Sequence, residues 1–195
     1  MNRQISFARY RAIDLCILGA VLAVTQAATV LAAKLWFPDQ LYIVSPVAAV
    51  VTLVLMRWGI WAGLHAVLGG IVFTLVSGGN GQHMVIYCVG NLFSLAALLM
   101  LRAFGKEKIR QSGFLSLMLA LVAQALMLLG RAAVAAALDY EWQACLGFIT
   151  TDILSVLFTL LVIWAARKAD GLFEDQKHYL LRVARERENE RRDQF

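Results

Sequence analysis

Residues 114–166 read FLSLMLALVAQALMLLGRAAVAAALDYEWQACLGFITTDILSVLFTLLVIWAA. Two apolar runs, Phe114 to Leu138 and Cys145 to Ala166, flank a short polar connection. Each run is long enough to cross a bilayer as a helix. Each also carries one stranded charge, Arg131 in the first and Asp152 in the second. A charge in hydrocarbon is costly, so such a residue pairs, lines a cavity or does chemical work. Seven residues separate Arg131 from Leu138, and seven separate Cys145 from Asp152. Both charges therefore sit about 10 Å in from the same membrane face. Opposite charges at one depth on consecutive helices predict a membrane-embedded polar site.

The rest of the chain agrees with a membrane setting. Of 195 residues 61% are hydrophobic, and mean hydropathy is +0.69. Soluble domains are nearer half apolar. The expected fold is all-α: an integral bundle of six transmembrane helices over 1–168, then a charged cytoplasmic amphipathic tail helix over 169–195. The net charge of +5 is no nucleic-acid signal, because no basic patch is interleaved with exposed aromatics outside the spans. Cys16, Cys88 and Cys145 are scattered without CxxC spacing, so neither a metal nor any other cofactor is expected. No Walker motif, HExxH, or Ser/His or Asp/Asp pair at one depth is present, which argues against an enzyme. Arg3, Arg9 and Arg11 precede an apolar run, as in a signal peptide. That run, Ile13 to Ala33, has the length of a full span and is expected to be retained.

The spans are expected at about 13–33, 44–56, 60–76, 84–101, 114–138 and 145–166. Pro38 breaks the chain after the first, and Pro46 sits in the first turn of the second, where proline is tolerated. Arg57-Trp58-Gly59 forms a tight connection, and Arg102 to Gly113 a polar loop. Six spans put both termini on one side. If that side is the cytoplasm, it receives Arg3, Arg9, Arg11, Arg57, Arg102, Lys106, Lys108, Arg110, Arg167, Lys168 and six tail residues, and the outside receives only Lys34. The bias predicts a multi-pass protein of a bacterial inner membrane with both termini inside and the Arg131–Asp152 level near the outer face.

Helical spacing extends the pair. His83, Tyr87, Asn91 and Ser94 share one face of the fourth span, and Asn91 lies at the depth of Arg131. Gln124 lies seven residues before Arg131, and Asp152, Ser155 and Thr159 form a third polar stripe. The outer loops supply Trp36 and Tyr42, then Asn80, Gln82 and His83, then Tyr140 and Trp142 as a lid. Aromatics, amides and one charge pair suit a small-molecule pocket. Bland readings compete at each residue. Arg131 and Asp152 could do no more than bridge each other. Trp36, Tyr140 and Trp142 fit an interfacial aromatic belt. Asn80 among glycines is first a turn, and Ser155 and Thr159 can bond back to their own helix.

The first helix carries Gly19, Ala23 and Ala27 at four-residue spacing, which permits close helix approach, within the chain or to a second membrane protein. In the tail, Phe173, Leu180 and Ala184 share a face suited to the membrane surface or a partner. Six short spans, both ends inside, the helix 1 stripe and the long loop Lys34 to Ser45 resemble the substrate-binding S-component of energy-coupling factor (ECF) vitamin transporters. The resemblance covers about Tyr10 to Arg167. It implies a transmembrane coupling subunit docking on Ala23 and Ala27, two ATPase subunits supplying energy, and a micronutrient held near Asn91, Arg131 and Asp152. The expected partners are those subunits, the small molecule and membrane lipid, with no nucleic acid. Rival readings are a structural scaffold like the cell-shape protein MreD and a stand-alone proton-coupled transporter. No repeated halves favour the latter.

Overall fold

The computed structural model describes residues 6–38 and 44–192, and among them every regular element is helical. Ser6 opens α1 (Phe7–Trp36), its hydroxyl accepting from the Arg9 amide at 3.3 Å. There follow α2 (Val47–Trp58), α3 (Ala62–Ser77), α4 (Gly81–Leu92), α5 (Leu98–Phe104), α6 (Lys106–Gln111), α7 (Gly113–Ala137), α8 (Trp142–Thr150), α9 (Ile153–Ala166) and α10 (Gln176–Arg192). A 3₁₀ stretch, Phe93–Ala97, joins α4 to α5. Among the described residues five helical segments are long and apolar enough to cross a membrane: 7–36, 47–77, 81–104, 113–137 and 142–166.

The second of these folds back on itself. Gly59 adopts φ +62°, a value favouring glycine, and ends α2. Contacts with α1 fix the directions. Arg57 at the end of α2 meets Asp14, whereas Ser45 just before α2 meets Gln26. His65 early in α3 meets the Leu15 carbonyl, and Lys34 donates to the Val76 carbonyl at the far end. So α3 runs parallel to α1, and α2 runs against both. The expected turn at Arg57-Trp58-Gly59 is thus present, but as a reversal inside one continuous apolar stretch.

All twelve residues of α2 are buried. It packs against α1, α3, α7 and α9 and forms the axis of the bundle. Its sequence, VAAVVTLVLMRW, is apolar around nearly the whole circumference, the pattern of a helix enclosed on every side. Twelve residues rise only about 18 Å, short of the roughly 30 Å hydrocarbon core. Leu22, Val51, Leu55, Leu119, Ala123, Met127 and Ile163 fill the core around it. The outer surface is also apolar: Val24, Leu35, Leu64, Leu99, Leu129 and Leu161 are exposed. Such an apolar surface is compatible with a multi-pass membrane protein.

Two expectations need correcting. The sixth span is not continuous. Thr150 and Thr151 donate through their hydroxyls to the carbonyls of Leu146 and Gly147, bonding that bends helices. The helix stops there, and Asp152 stands at the break as the residue preceding α9. The loop between the fourth and fifth spans also holds a short helix, α6, in which Arg110 pairs with Glu107.

The tail does not simply leave the bundle at residue 168. Arg57 donates to the carbonyls of Gly171 and Leu172 at 2.5 and 3.1 Å, and binds Asp14 through two nitrogens. Trp58 Nε1 also donates to Asp14, and Tyr10 donates to Gln176 at 3.0 Å. Phe173 and Gln176 are almost completely buried. Residues 171–176 therefore close one end of the bundle, and α10 starts from that plug. Lys106 ties it down further through Asp175 at 2.6 Å.

Burial pushes the Asp175 carboxyl up, but the Lys106 ammonium and the amides of Lys177 and His178 outweigh it and hold it below the usual range. A depressed carboxyl contributes stability above its unfolded value, about 3.9, and loses it as pH falls through the folded one. The protection of α10 amides, measured against the intrinsic exchange rate at each pH, is accordingly expected to hold from neutrality down to about pH 4 and to fall below it. Lys106→Ala should give the lower protection already at pH 7, by a modest factor because the pair is partly exposed.

Candidate functional site

The predicted charge pair forms at the end of the bundle opposite Arg57. Arg131 Nη1 lies 2.7 Å from Asp152 Oδ2, and Arg131 Nε donates to Asn91 Oδ1 at 2.8 Å. Asn91 in turn donates to the Ala66 carbonyl at 3.0 Å. The guanidinium carbon sits 4.8 Å from the centre of the Tyr87 ring, a cation–π contact that burial strengthens. Arg131 is 5% exposed and Asn91 fully buried.

A backbone crossing makes this geometry possible. α4 and α7 touch at Gly90 and Gly130. A Cβ on Gly90 would lie 2.6 Å from the backbone N and Cα of Arg131, and one on Gly130 would strike the Gly90 carbonyl oxygen. Two glycines at the crossing let the helices meet main chain to main chain. Arg131 then emerges beside Asn91 instead of a helix diameter away.

Asp152 is held from its other side. Ser155 donates to Asp152 Oδ1 at 2.6 Å, and the Ser45 amide donates to the Ser155 hydroxyl at 2.9 Å. The Ser45 hydroxyl donates to Gln26 Oε1 at 2.9 Å. A single chain of hydrogen bonds thus runs from α1 through the start of α2, α9, α7 and α4 to α3. Connected polar networks of this kind fix one arrangement of a core.

Above the pair stand Phe73, Tyr87 and Phe148, with Phe73 and Tyr87 at 4.3 Å and Tyr87 and Phe148 at 5.8 Å between ring centres. These rings, Arg131, Asp152, Asn91, Ser45 and Thr151 line a cleft of about 60 Å³. That space admits a few waters or a carboxylate-sized group. It is smaller than the pockets that enclose drug-sized ligands. Arg131 has five N–H donors, and its acceptors among the described residues are Asn91, Asp152 and the Met127 sulfur. Donor capacity is left over at the wall of a cleft.

The other expected site residues fall elsewhere. Gln124 is buried but accepts from Thr159 at 3.1 Å, two helical turns below the cleft. His83 and Asn80 cap α4 reciprocally. The His83 ring stands edge-on to Tyr140 at 6.2 Å, and Tyr140 donates to Gln82 at 3.3 Å. These four tie the α3–α4 turn to the α7–α8 turn. Trp36 and Trp142 are 73% and 71% exposed and line no part of the cleft. Tyr42 lies outside the described residues. On α1, Gly19 is buried against His65 and Leu68 of α3, and Ala23 and Ala27 are half-buried. Ser45, Thr151, Phe73 and Phe148 line the cleft without a mark in the sequence. Two of them are small hydroxyl residues at helix ends, and the other two carry no polar signal in an apolar span.

Among the described residues no group of His, Cys, Asp or Glu side chains could hold a metal. Comparison with protein-family profiles, curated proteins and solved structures gave no match.

Proposed function

We propose that this chain is the substrate-binding subunit of an ATP-driven importer of the ECF type. Its chain passes six times between the two faces of a bacterial cytoplasmic membrane, one pass being the short enclosed helix α2, with both termini inside, and it captures a small polar micronutrient from outside. The observation that carries the reading is Arg131. It is a cation at 5% exposure, with unspent donors, under an aromatic tier and at the wall of a cleft. Arg131 would take a carboxylate or phosphate of the ligand, and Asp152 a cationic or hydrogen-donating group. Tyr87, Phe73 and Phe148 would cover an apolar or ring portion. A vitamin-sized molecule requires the 60 Å³ cleft to widen, so loading goes with a rearrangement of the elements around it. Energy would come from two partner ATPases through a coupling subunit docked on α1.

The direct Arg131–Asp152 bridge at 2.7 Å favours one rival, a structural scaffold in which the two residues only hold α7 to α9. Native mass spectrometry of the detergent-purified protein separates the two. A small molecule released on unfolding, and absent from the folded double variant Arg131→Asp, Asp152→Arg, supports the importer. Folded wild-type protein without any such molecule, together with full cellular function of the charge-swapped variant, supports the scaffold.

A further inference from the structure

At the plugged end of the bundle a second polar groove opens, far from the cleft. Arg110, Arg167, Lys168, Asp170, Phe173 and Glu174 line it. Its charges are unevenly satisfied. Arg110 pairs with Glu107 at 2.7 Å and with Glu174 at 3.4 Å, and Asp170 is taken by Arg182 at 2.7 Å. Among the described residues neither Arg167 nor Lys168 has a carboxylate within 4 Å. Arg167 donates through Nη2 to the Gln111 carbonyl at 3.2 Å, while its buried Nε has no acceptor. A buried donor on a permanent cation with nothing to bind is costly.

The groove continues an apolar face. Leu157, Leu161 and Trp164, on one stripe of α9, are 56%, 66% and 48% exposed. Lys168 is the next residue along that stripe, its ammonium 3.7 Å from the centre of a Trp164 ring. A tryptophan capped by lysine at the end of an apolar stripe marks the membrane–water boundary. Acyl chains would lie along Leu157 and Leu161, and a headgroup at that level would meet Arg167 and Lys168. Basic pockets between helices at this level hold anionic headgroups.

We propose that the groove at Arg167 and Lys168 is a binding site for the phosphate of an anionic phospholipid. The charge of Arg167 and Lys168 fixes the headgroup class, and the Leu157–Leu161–Trp164 stripe fixes the source as a lipid rather than a free phosphate. The site does not depend on the importer reading.

Titration of the full-length protein in zwitterionic nanodiscs tests this, with phosphatidylglycerol, phosphatidylcholine and acyl-free glycerol phosphate as probes and native mass spectrometry as readout. Phosphatidylglycerol is expected to bind in clear preference to phosphatidylcholine. Lys168→Gln should reduce that preference about fivefold, and Arg167→Gln with Lys168→Gln by the same factor again, the effect of about one interfacial cation each. Lys177→Gln, an exposed cation on α10, should leave it unchanged. Because Lys168 is exposed, its single variant is expected to fold even if the double variant does not. Equal binding of the two lipids, undiminished preference in Lys168→Gln, or glycerol phosphate binding as tightly as the lipid would each overturn the site.

Discussion

Arg131→Ala is expected to lower the unfolding free energy by about 3–5 kcal/mol, the cost of leaving one partner of a buried ion pair alone. Among the described residues Asp152, at 9% exposure, would keep Ser155 as a side-chain donor but lose its cation. Asn91 Oδ1 would lose its donor, and Tyr87 the cation over its ring. The large number comes from desolvation, not from the intrinsic worth of the bridge. Removing both charges in Arg131→Met with Asp152→Leu should therefore recover most of the loss, because an apolar pair of similar volume needs no water. Arg131→Lys should fall between, since one ammonium cannot reproduce the planar fork that reaches Asn91 and Asp152 together. Thermal unfolding in detergent reads all three. An Arg131→Ala protein within about 1 kcal/mol of wild type, the scale of an exposed surface pair, would show that the site is wetter than its burial states.

Gly90→Ala and Gly130→Ala are expected to be clearly destabilising although each adds one carbon. At Gly90 the new Cβ meets the Arg131 backbone at 2.6 Å, and at Gly130 it meets the Gly90 carbonyl and the Phe93 ring. Main-chain atoms cannot rotate away, so α4 and α7 must part. Overpacking of this kind costs about 1–3 kcal/mol, occasionally more. The same displacement moves Asn91 away from Arg131, so these variants should also lose whatever the cleft binds. Gly147→Ala in α8 is the contrast. Its Cβ meets nothing within 4 Å, and a helical alanine is favoured over glycine by about 0.8–1.0 kcal/mol. It should be neutral or stabilising in the same melts. Three Gly→Ala changes with the same chemistry and opposite outcomes would locate the crossing.

How much of this was readable from the chain follows from which quantities are local. Depth is local, because a helix rises by a fixed amount per residue. Counting from the apolar boundaries brought Arg131, Asp152 and Asn91 to one level, and the structure joins them. Face is nearly local, so Tyr87 was found with Asn91. Gln124 shared the face of Arg131 but not its depth, and it accordingly pairs with Thr159 instead. The helix break before α9 was hidden, because two threonines in an apolar span read as ordinary small residues until their back-bonding is seen. The Asp14–Arg57 pair joins residues 43 positions apart, and no local spacing links two charges so far apart in the chain. The expectation of lid tryptophans rests on their chemistry alone. Nothing in a sequence says which way a loop aromatic turns, and Trp36 and Trp142 turn outward.

The buried central helix constrains how the chain can be made. α2 is too short to span the hydrocarbon by itself, and all twelve of its residues are buried in the bundle. Two of the walls that enclose it, α7 and α9, leave the ribosome long after it does. Through that interval Arg57 and Thr52 face whatever surrounds a half-made bundle, and only Asp14 on α1 is already at hand to neutralise Arg57. Both partners of the Asp14–Arg57 pair precede α7 and α9 in the chain, so this contact needs neither of the later helices, whereas the enclosure of α2 needs both.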